Sequence, residues 1–180
     1  MQTRPPLLDG ERVRLRAYRD DDTDALYAAY SDPTVMRYWS YPPWTERSQA
    51  EAYLARDRDY ADDGMLGWVI AKRDNEAFMG TMTLLGIDRA QGRADIGYAL
   101  AAVHWGHGYA QEALHLALAH AFHALQLRRI EADVDPRNAG SCRLLERLGF
   151  QREGLLRERW LVNGELQDSS MYGLLRGEFR

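Results

Sequence analysis

Polar and apolar residues recur along the chain with periods that predict an ordered series of strands and helices. Residues 12–18 alternate, with Val13 and Leu15 on one face, and predict a first strand. Three further apolar or alternating runs are separated by short polar turns, which predicts an antiparallel set of strands. These runs span residues 65–73, 77–87 and 93–100.

Two helical segments are predicted in the first half of the chain. Acidic residues precede Leu26 and Ala29, which marks a helix start, and Pro33 marks its end. Residues 45–61 open with a capping pattern and continue as a second helix. The aromatic stretch between them, residues 35–44, predicts a loop.

The middle of the chain predicts a strand–helix–strand crossover. Small and apolar residues recur on one helical face from Gly108 to about Gln126. This helix follows the strand at residues 93–100 and precedes another at residues 128–134. A crossover of this kind makes its two strands parallel neighbours.

A short helix and a hairpin close the chain. Asn138 is a natural N-cap for that helix, and Gly149 is a natural C-terminal stop. Asn163-Gly164 then joins two last strands, residues 154–162 and 165–175, with a strong two-residue hairpin signal. The whole pattern predicts one α+β domain over residues 1–180. Its sheet is mainly antiparallel and twisted, with about seven strands, one parallel pair and about four helices.

Composition narrows the functional classes. The 180 residues are 46% hydrophobic and 28% charged, as in ordinary globular domains. A net charge of −4 without a long basic run argues against nucleic acid as the main ligand. No segment has the ~20 apolar residues that span a membrane, and the N-terminus lacks a signal-peptide core, so we expect a cytoplasmic protein without a membrane partner.

The metal-binding residue types are sparse. Cys142 is the single cysteine, so it forms no internal disulfide and no thiolate zinc site. The five histidines lack the spacing of a metal site, and we expect no metal.

The segment WGHGYAQEAL, residues 105–114, places two glycines at a helix start. A helix start has unpaired N–H groups and a partial positive charge, and glycine has no Cβ to hold an anion away. Two interpretations stay open: a plain strand-to-helix turn, or a phosphate site. The dinucleotide fingerprint and the Walker loop do not fit, because Gln111 stands where the first needs Gly or Ala and the second needs Gly-Lys-Ser/Thr.

The same segment resembles the pyrophosphate loop of the GNAT acetyltransferases, whose pattern is Gln/Arg-x-x-Gly-x-Gly/Ala. Gly108 and Ala110 match this pattern, and Trp105 replaces the usual Gln or Arg, as is frequent in the RimJ/RimL-type branch. Other segments resemble the family in order and spacing, so that the resemblance covers nearly the whole chain. They are residues 12–27, 93–100, 138–150 and 162–179.

This resemblance implies acetyl-CoA as cosubstrate, held where the two parallel strands splay apart. Backbone groups near Leu100, Ala101 and Val103 would pair with the pantetheine arm. The N–H groups of the glycine turn would hold the pyrophosphate; they belong to Gly106, His107, Gly108, Tyr109 and Ala110. Asn138 would contact the pantetheine, a role that coexists with capping the helix.

The resemblance also implies catalytic roles. Ser141 would protonate the departing CoA thiolate, with an ordinary capping or surface serine as the alternative. Asp95 would be the general base, with a solvated strand residue beside Arg93 as the alternative. Glu158 and Asp168 are weaker candidates.

Acceptor contacts are expected from the aromatic loop, through Trp39, Tyr41 and Trp44. The predicted activity is acetyl transfer to a primary amine, on a protein or peptide N-terminus or a small molecule, by direct attack in a ternary complex. A non-catalytic CoA-binding or sensing module of the same fold is the alternative. Relatives and the aromatic content also imply a homodimer.

Overall fold

A computed structural model describes residues 4–59 and 64–180 and contains one twisted sheet. Its strands are β1 (Leu8–Asp9), β2 (Val13–Arg16), β3 (Leu66–Lys72), β4 (Phe78–Asp88), β5 (Arg93–Leu100), β6 (Arg129–Val134), β7 (Gln151–Val162) and β8 (Glu165–Leu175). They lie in the order β1-β2-β3-β4-β5-β6-β8-β7. Within the described residues β5 and β6 run parallel, and the other neighbouring strands are antiparallel.

Five α-helices accompany the sheet in the described part of the chain. They are α1 (Thr23–Ser31), α2 (Pro33–Met36), α3 (Arg47–Asp59), α4 (Tyr109–Ala119) and α5 (Ala139–Arg147). A π-helical turn, His120–Ala124, extends α4, and there the Leu125 N–H donates to the His120 carbonyl at 3.0 Å. The predicted end of the second helix, residues 60 and 61, lies outside the described residues.

The helices pack on both faces of the sheet. On one face, α4 and α5 bury Leu114 and Leu145 against Ile96 of β5. On the other face, α1, α2 and α3 form a second core, which includes Tyr30 and receives Ala99 from β5. Because successive side chains of a strand point to opposite faces, β5 contributes to both cores.

The predicted α+β fold with one parallel pair is confirmed, with eight strands where about seven were predicted and five helices where about four were. The added strand is the two-residue β1. The added helix is α2, which begins at Pro33. Proline stops a preceding helix but is also favoured in the first turn of the next, since its missing N–H is unpaired there in any case. Asp32 caps this short helix by accepting the Thr34 N–H at 2.8 Å.

The closing hairpin forms as the sequence predicts. Asn163 and Gly164 both have positive φ, 50° and 81°, as a type I′ turn requires. The hairpin carries β7 at the outer edge of the sheet, where it pairs with β8. The register between β7 and β8 shifts between Leu156 and Trp160, an irregularity of the kind that bends a strand.

Candidate active site

The parallel pair β5–β6 separates after three rungs. Its partners are Arg93 with Arg129, Ala94 with Ile130, and Asp95 with Glu131. Beyond the last rung both strands continue without pairing to each other, β5 to Leu100 and β6 to Val134. We call this point of separation the fork. A cleft of about 430 Å³ opens from it and reaches β7 and β8 on one side and the aromatic loop on the other.

Backbone groups of β5 line the open side of the fork. The Ala101 N–H donates to the Met79 carbonyl at 2.9 Å, in the same register that pairs Ala99 with Thr81. Hydrogen bonding alternates along a strand. The odd-numbered residues of β5 therefore bond to β4, and Ile96, Tyr98 and Leu100 direct their backbone groups towards the cleft.

This alternation removes Ala101 from the expected pantetheine contacts, whereas the expectation for Val103 stays a prediction. Both backbone groups of Ala101 are occupied, because its carbonyl also accepts the His104 N–H at 2.9 Å. Val103 lies in a 3₁₀ turn after β5 with 79% of its surface exposed. Leu100 stays in place, and its carbonyl accepts the Trp105 indole N–H at 2.7 Å. Trp105, which replaces the family's usual Gln or Arg, thus ties the glycine turn to the end of β5.

The glycine turn leads directly into α4. Gly106 and Gly108 have φ values of 79° and 80°, a left-handed conformation that side chains other than glycine rarely adopt. No side chain caps α4 within the described residues, so the first N–H groups of this helix lack a capping partner. A Cβ on Gly106 would have no heavy atom within 4 Å. The turn is therefore an open cradle of N–H groups, which suits a diphosphate.

Arg12, the residue before β2, anchors the glycine turn. Its guanidinium donates to the His107 carbonyl at 2.9 Å and to Glu112 at 3.1 Å. It also lies over the Tyr109 ring at 5.3 Å, and half of its side chain is exposed. Sequence analysis did not identify Arg12, since 95 residues separate it from His107. It adds a positive charge beside the cradle.

Two hydroxyl groups meet on the α5 side of the cleft. The Asn138 side chain caps α5 by accepting the Ser141 N–H at 3.1 Å, as predicted. The Ser141 hydroxyl is hydrogen-bonded to the Tyr98 hydroxyl at 2.6 Å. Burial raises the pKa of Tyr98 to about 12, so its phenol stays protonated at neutral pH. Tyr98 was missed, because an aromatic residue in a strand is typical of an ordinary core.

Acidic side chains gather on the opposite face, at the last rung of the fork. Loss of hydration and the neighbouring Glu131 raise the pKa of the Asp95 carboxyl. Asp133 and Asp168 line the same cleft, with Arg159 as the facing cation. Asp133 accepts the Trp160 indole N–H at 3.2 Å, and Asp168 accepts the Glu158 N–H at 2.8 Å.

Asp95 and Tyr98 lie three residues apart on β5 and therefore point to opposite faces of the sheet. The cleft passes between the splayed strands and contacts both. A group held in the fork thus has a carboxylate on one side and a hydroxyl pair on the other. This places candidate proton acceptor and donor on the two sides of one reacting centre.

The aromatic loop contributes fewer residues than expected. Trp39 lines the cleft, together with Tyr38, which sequence analysis did not single out. Tyr41 packs against the Trp39 ring at 5.5 Å rather than lining the cleft. Trp44 belongs to the core on the helical side, where it stacks on Tyr30 at 4.6 Å. The structure therefore does not bring Trp44 to the site.

Residues 4–59 and 64–180 contain no group of three or more His, Cys, Asp or Glu side chains that could hold a metal ion. None of their helices has the length and apolar character to cross a bilayer.

The forked sheet and its glycine turn define the N-acetyltransferase class of enzyme. The chain belongs to the GNAT family, whose Acetyltransferase (GNAT) domain matches residues 12–151. It is 39% identical over 170 residues to the uncharacterized N-acetyltransferase p20 of Bacillus licheniformis, covering 94% of this chain and 96% of the relative. The protein is accordingly an acyltransferase, and its family uses acetyl-CoA as donor.

Solved structures agree with this assignment. RimJ of Mycobacterium smegmatis in complex with CoA-disulfide superposes with a TM-score of 0.86 at 28% identity, over 97% of this chain and 89% of RimJ. Spermidine N-acetyltransferase from Vibrio cholerae, in complex with CoA and spermine, has a TM-score of 0.83 at 24% identity, over 94% and 98% of the two chains. The similarity to the spermidine N-acetyltransferase, at this level of identity, shows a shared fold.

Proposed function

We propose that this enzyme transfers the acetyl group of acetyl-CoA to a primary amine, by direct attack in a ternary complex. The observation that carries the proposal is the fork. Its unpaired β5 backbone lies between the glycine turn and the acidic end of the cleft. The turn would hold the pyrophosphate through N–H groups of residues 106–110, and the unpaired backbone groups of Tyr98 and the N–H of Leu100 would pair with the pantetheine arm.

The side chains around the fork suit the proton movements of this reaction. A bond forms between the amine nitrogen and the acetyl carbon, and the carbon–sulfur bond breaks. Asp95 accepts the proton that leaves the nitrogen, directly or through water. A backbone N–H of β5 stabilises the developing oxyanion. Ser141 donates a proton to the leaving thiolate, and the Tyr98 hydroxyl, 2.6 Å away, replaces it.

The acceptor side of the cleft is suited to a protonated amine, which becomes a nucleophile when it loses a proton. Asp95, Asp133 and Asp168 outnumber Arg159 there. Ser169 adds a buried hydroxyl on the cleft wall that has no hydrogen-bond partner among the described residues. We infer an α-amine of a peptide or protein N-terminus, or a similar small amine. With a pKa near 8, about a tenth of such groups are neutral at pH 7, against about 0.04% for a lysine side chain.

A panel of amines tests this proposal. The panel contains a peptide with a free N-terminus, the same peptide N-blocked with an internal lysine, and spermidine. We expect the free N-terminus to give the highest kcat/KM at pH 7. A larger fraction of this amine is already neutral at that pH, so the enzyme does not need a strong base to deprotonate it. Release of free CoA thiol, measured against time for each amine, provides the comparison.

Each alternative result of the panel has a distinct meaning. A preference for spermidine or the lysine peptide would overturn the α-amine assignment and keep the acetyltransferase. CoA binding without turnover of any amine would instead favour the CoA-binding or sensing module.

The hydroxyl pair gives a second prediction. Ser141→Ala and Tyr98→Phe each lower kcat about tenfold with little change in the KM for acetyl-CoA, because thiolate protonation follows binding. The alanine variant keeps the helix cap, since Asn138 bonds the Ser141 backbone N–H. The double variant loses little more than either single variant, since both act in one chain of hydrogen bonds.

Ser40→Ala is the matched control for Ser141→Ala. It removes a hydroxyl from the same cleft on the aromatic-loop side, away from the pair. We expect its kcat to stay near that of the unsubstituted enzyme. An unchanged kcat in Ser141→Ala would return Ser141 to a purely structural role.

We also propose that the enzyme works in the cytoplasm as a homodimer. The location is supported by the single, partly buried cysteine, which needs no oxidising compartment. The dimer is supported by the outer hairpin, where β7 has β8 as its strand partner and both strands expose apolar side chains. These are Leu155, Leu156, Leu161 and Leu166.

A further inference from the structure

The last rung of the fork pairs two carboxylates. Asp95 of β5 and Glu131 of β6 are direct partners in the parallel register. Residues paired across two strands project to the same face of the sheet, so these two side chains are neighbours there, and burial together with Glu131 raises the pKa of the Asp95 carboxyl. Like charges placed opposite each other on a sheet are destabilising. Positively charged groups nearby are therefore needed to offset the repulsion between these two carboxylates.

Two arginines hold one member of the pair. Arg129 donates to Glu131 at 2.6 Å, and Arg93 approaches the same carboxylate at 3.5 Å. Arg129 is itself fixed by a two-pronged bond to Glu153. Glu131 is thus held in place by Arg129, and Asp95 is left as the member of the pair that lines the cleft.

We propose that Glu131 is a positioning residue for the reaction: its carboxylate, fixed by Arg129 directly opposite Asp95, makes the Asp95 carboxyl a stronger proton acceptor at the mouth of the fork. This rests on the proposed role of Asp95 as the base. Glu131 itself does not line the cleft, so it acts through Asp95.

The other charged groups around Asp95 come from each neighbouring strand. Arg93 on β5 favours the ionised carboxylate, whereas Asp133 on β6 opposes it. The residue of β4 that faces Asp95 is Leu85, and the charged residue of that strand, Asp88, is paired with Arg93. Across the cleft lie Asp168 of β8, Arg159 of β7 and Tyr38 of the aromatic loop. Glu131 is the negative group directly opposite Asp95.

The ionisation of Asp95 determines how the activity depends on pH. Burial and Glu131 raise the pKa of Asp95, and the enzyme needs this group unprotonated. Activity therefore falls as the pH drops through that pKa. Glu131→Gln removes the negative neighbour, lowers the pKa of Asp95, and moves the acidic limb of the kcat/KM profile to lower pH. The high-pH plateau of kcat falls a few-fold, because a weaker base accepts the proton less readily.

Glu153→Gln is the matched control. Glu153 also binds Arg129, but it lies on β7, away from the partner position of Asp95. We expect its acidic limb to stay in place. Glu131→Asp keeps the negative charge, so its acidic limb should lie close to that of the unsubstituted enzyme.

Asp95→Asn separates the two proposals. If this variant keeps the activity and the acidic limb, Asp95 is not the base and the proposed mechanism fails. If Asp95→Asn loses the limb but a folded Glu131→Gln leaves it unmoved, the mechanism stands and the role of Glu131 is overturned. A plateau loss in Glu131→Gln without movement of the limb would likewise identify a merely structural residue.

Discussion

Replacement of Asp95 with asparagine is expected to lower kcat/KM by at least about a hundredfold, because general-base catalysis contributes roughly that much. The affinity for CoA should be unchanged, since the glycine turn and the β5 backbone are untouched. Steady-state kinetics with a saturating amine and calorimetry with CoA measure the two quantities separately.

The Asp95→Asn variant should also be at least as stable as the original protein at pH 7. The folded state raises the pKa of Asp95, so its ionisation costs stability as the pH rises above the ordinary value. A loss of activity therefore cannot be ascribed to unfolding if the thermal midpoint is maintained.

Asp133→Asn is the control for this change. It removes one carboxylate from the same cleft and keeps an oxygen that can accept the Trp160 indole N–H. We expect a loss of no more than a few-fold. Equal losses in the two variants would show that the total charge of the cleft, and not one base, supports the reaction.

Gly106→Asp is expected to weaken CoA binding at least about a hundredfold. The space at Gly106 is open, and aspartate tolerates the left-handed conformation better than most residues, so the fold should persist. The added carboxylate would then face the diphosphate, while the Arg12 guanidinium is already bonded to Glu112 and the His107 carbonyl. Calorimetric titration with CoA at low and high salt measures the effect, which should diminish as salt screens the repulsion.

Gly106→Asn separates charge from shape. It adds a side chain of the same size without the negative charge, and we expect a much smaller loss. If both variants bind CoA as weakly, steric filling of the cradle is responsible. If neither binds more weakly, the diphosphate lies elsewhere.

Local signals in the sequence were sufficient for most of the fold. Asn163 and Gly164 can both adopt the positive φ that a tight hairpin needs, so the turn and the start of β8 followed from two residues. Asn138 was recognisable as a cap because its short side chain reaches the N–H three residues on. The missed elements, β1 and α2, have two and four residues, too few for a period to show.

The parts of the site that were missed depend on contacts between distant segments. Arg12 reaches the glycine turn across 95 residues, and Glu131 meets Asp95 through strand register. Trp44 had the composition of a binding wall, but aromatic content does not indicate whether a ring faces a ligand or a core. Its stacking on Tyr30 is a property of how α1 packs on the loop, which has no local signal.

The short β5–β6 ladder divides the sheet into two blocks, β1 to β5 and β6 to β8. In the described part of the chain, backbone hydrogen bonds join the blocks along the three rungs that end at Asp95 and Glu131 and just before them, where the Arg128 N–H donates to the Gly92 carbonyl at 2.7 Å. The neighbouring β4–β5 seam, by contrast, is in register from Gly80 to Leu85. A pantetheine chain that hydrogen-bonds to the open edge of β5 would act as an additional strand that is present only while the cosubstrate is bound. Each turnover would then close and reopen the sheet, and the concentration of the acetyl donor would set how firmly its two blocks are joined.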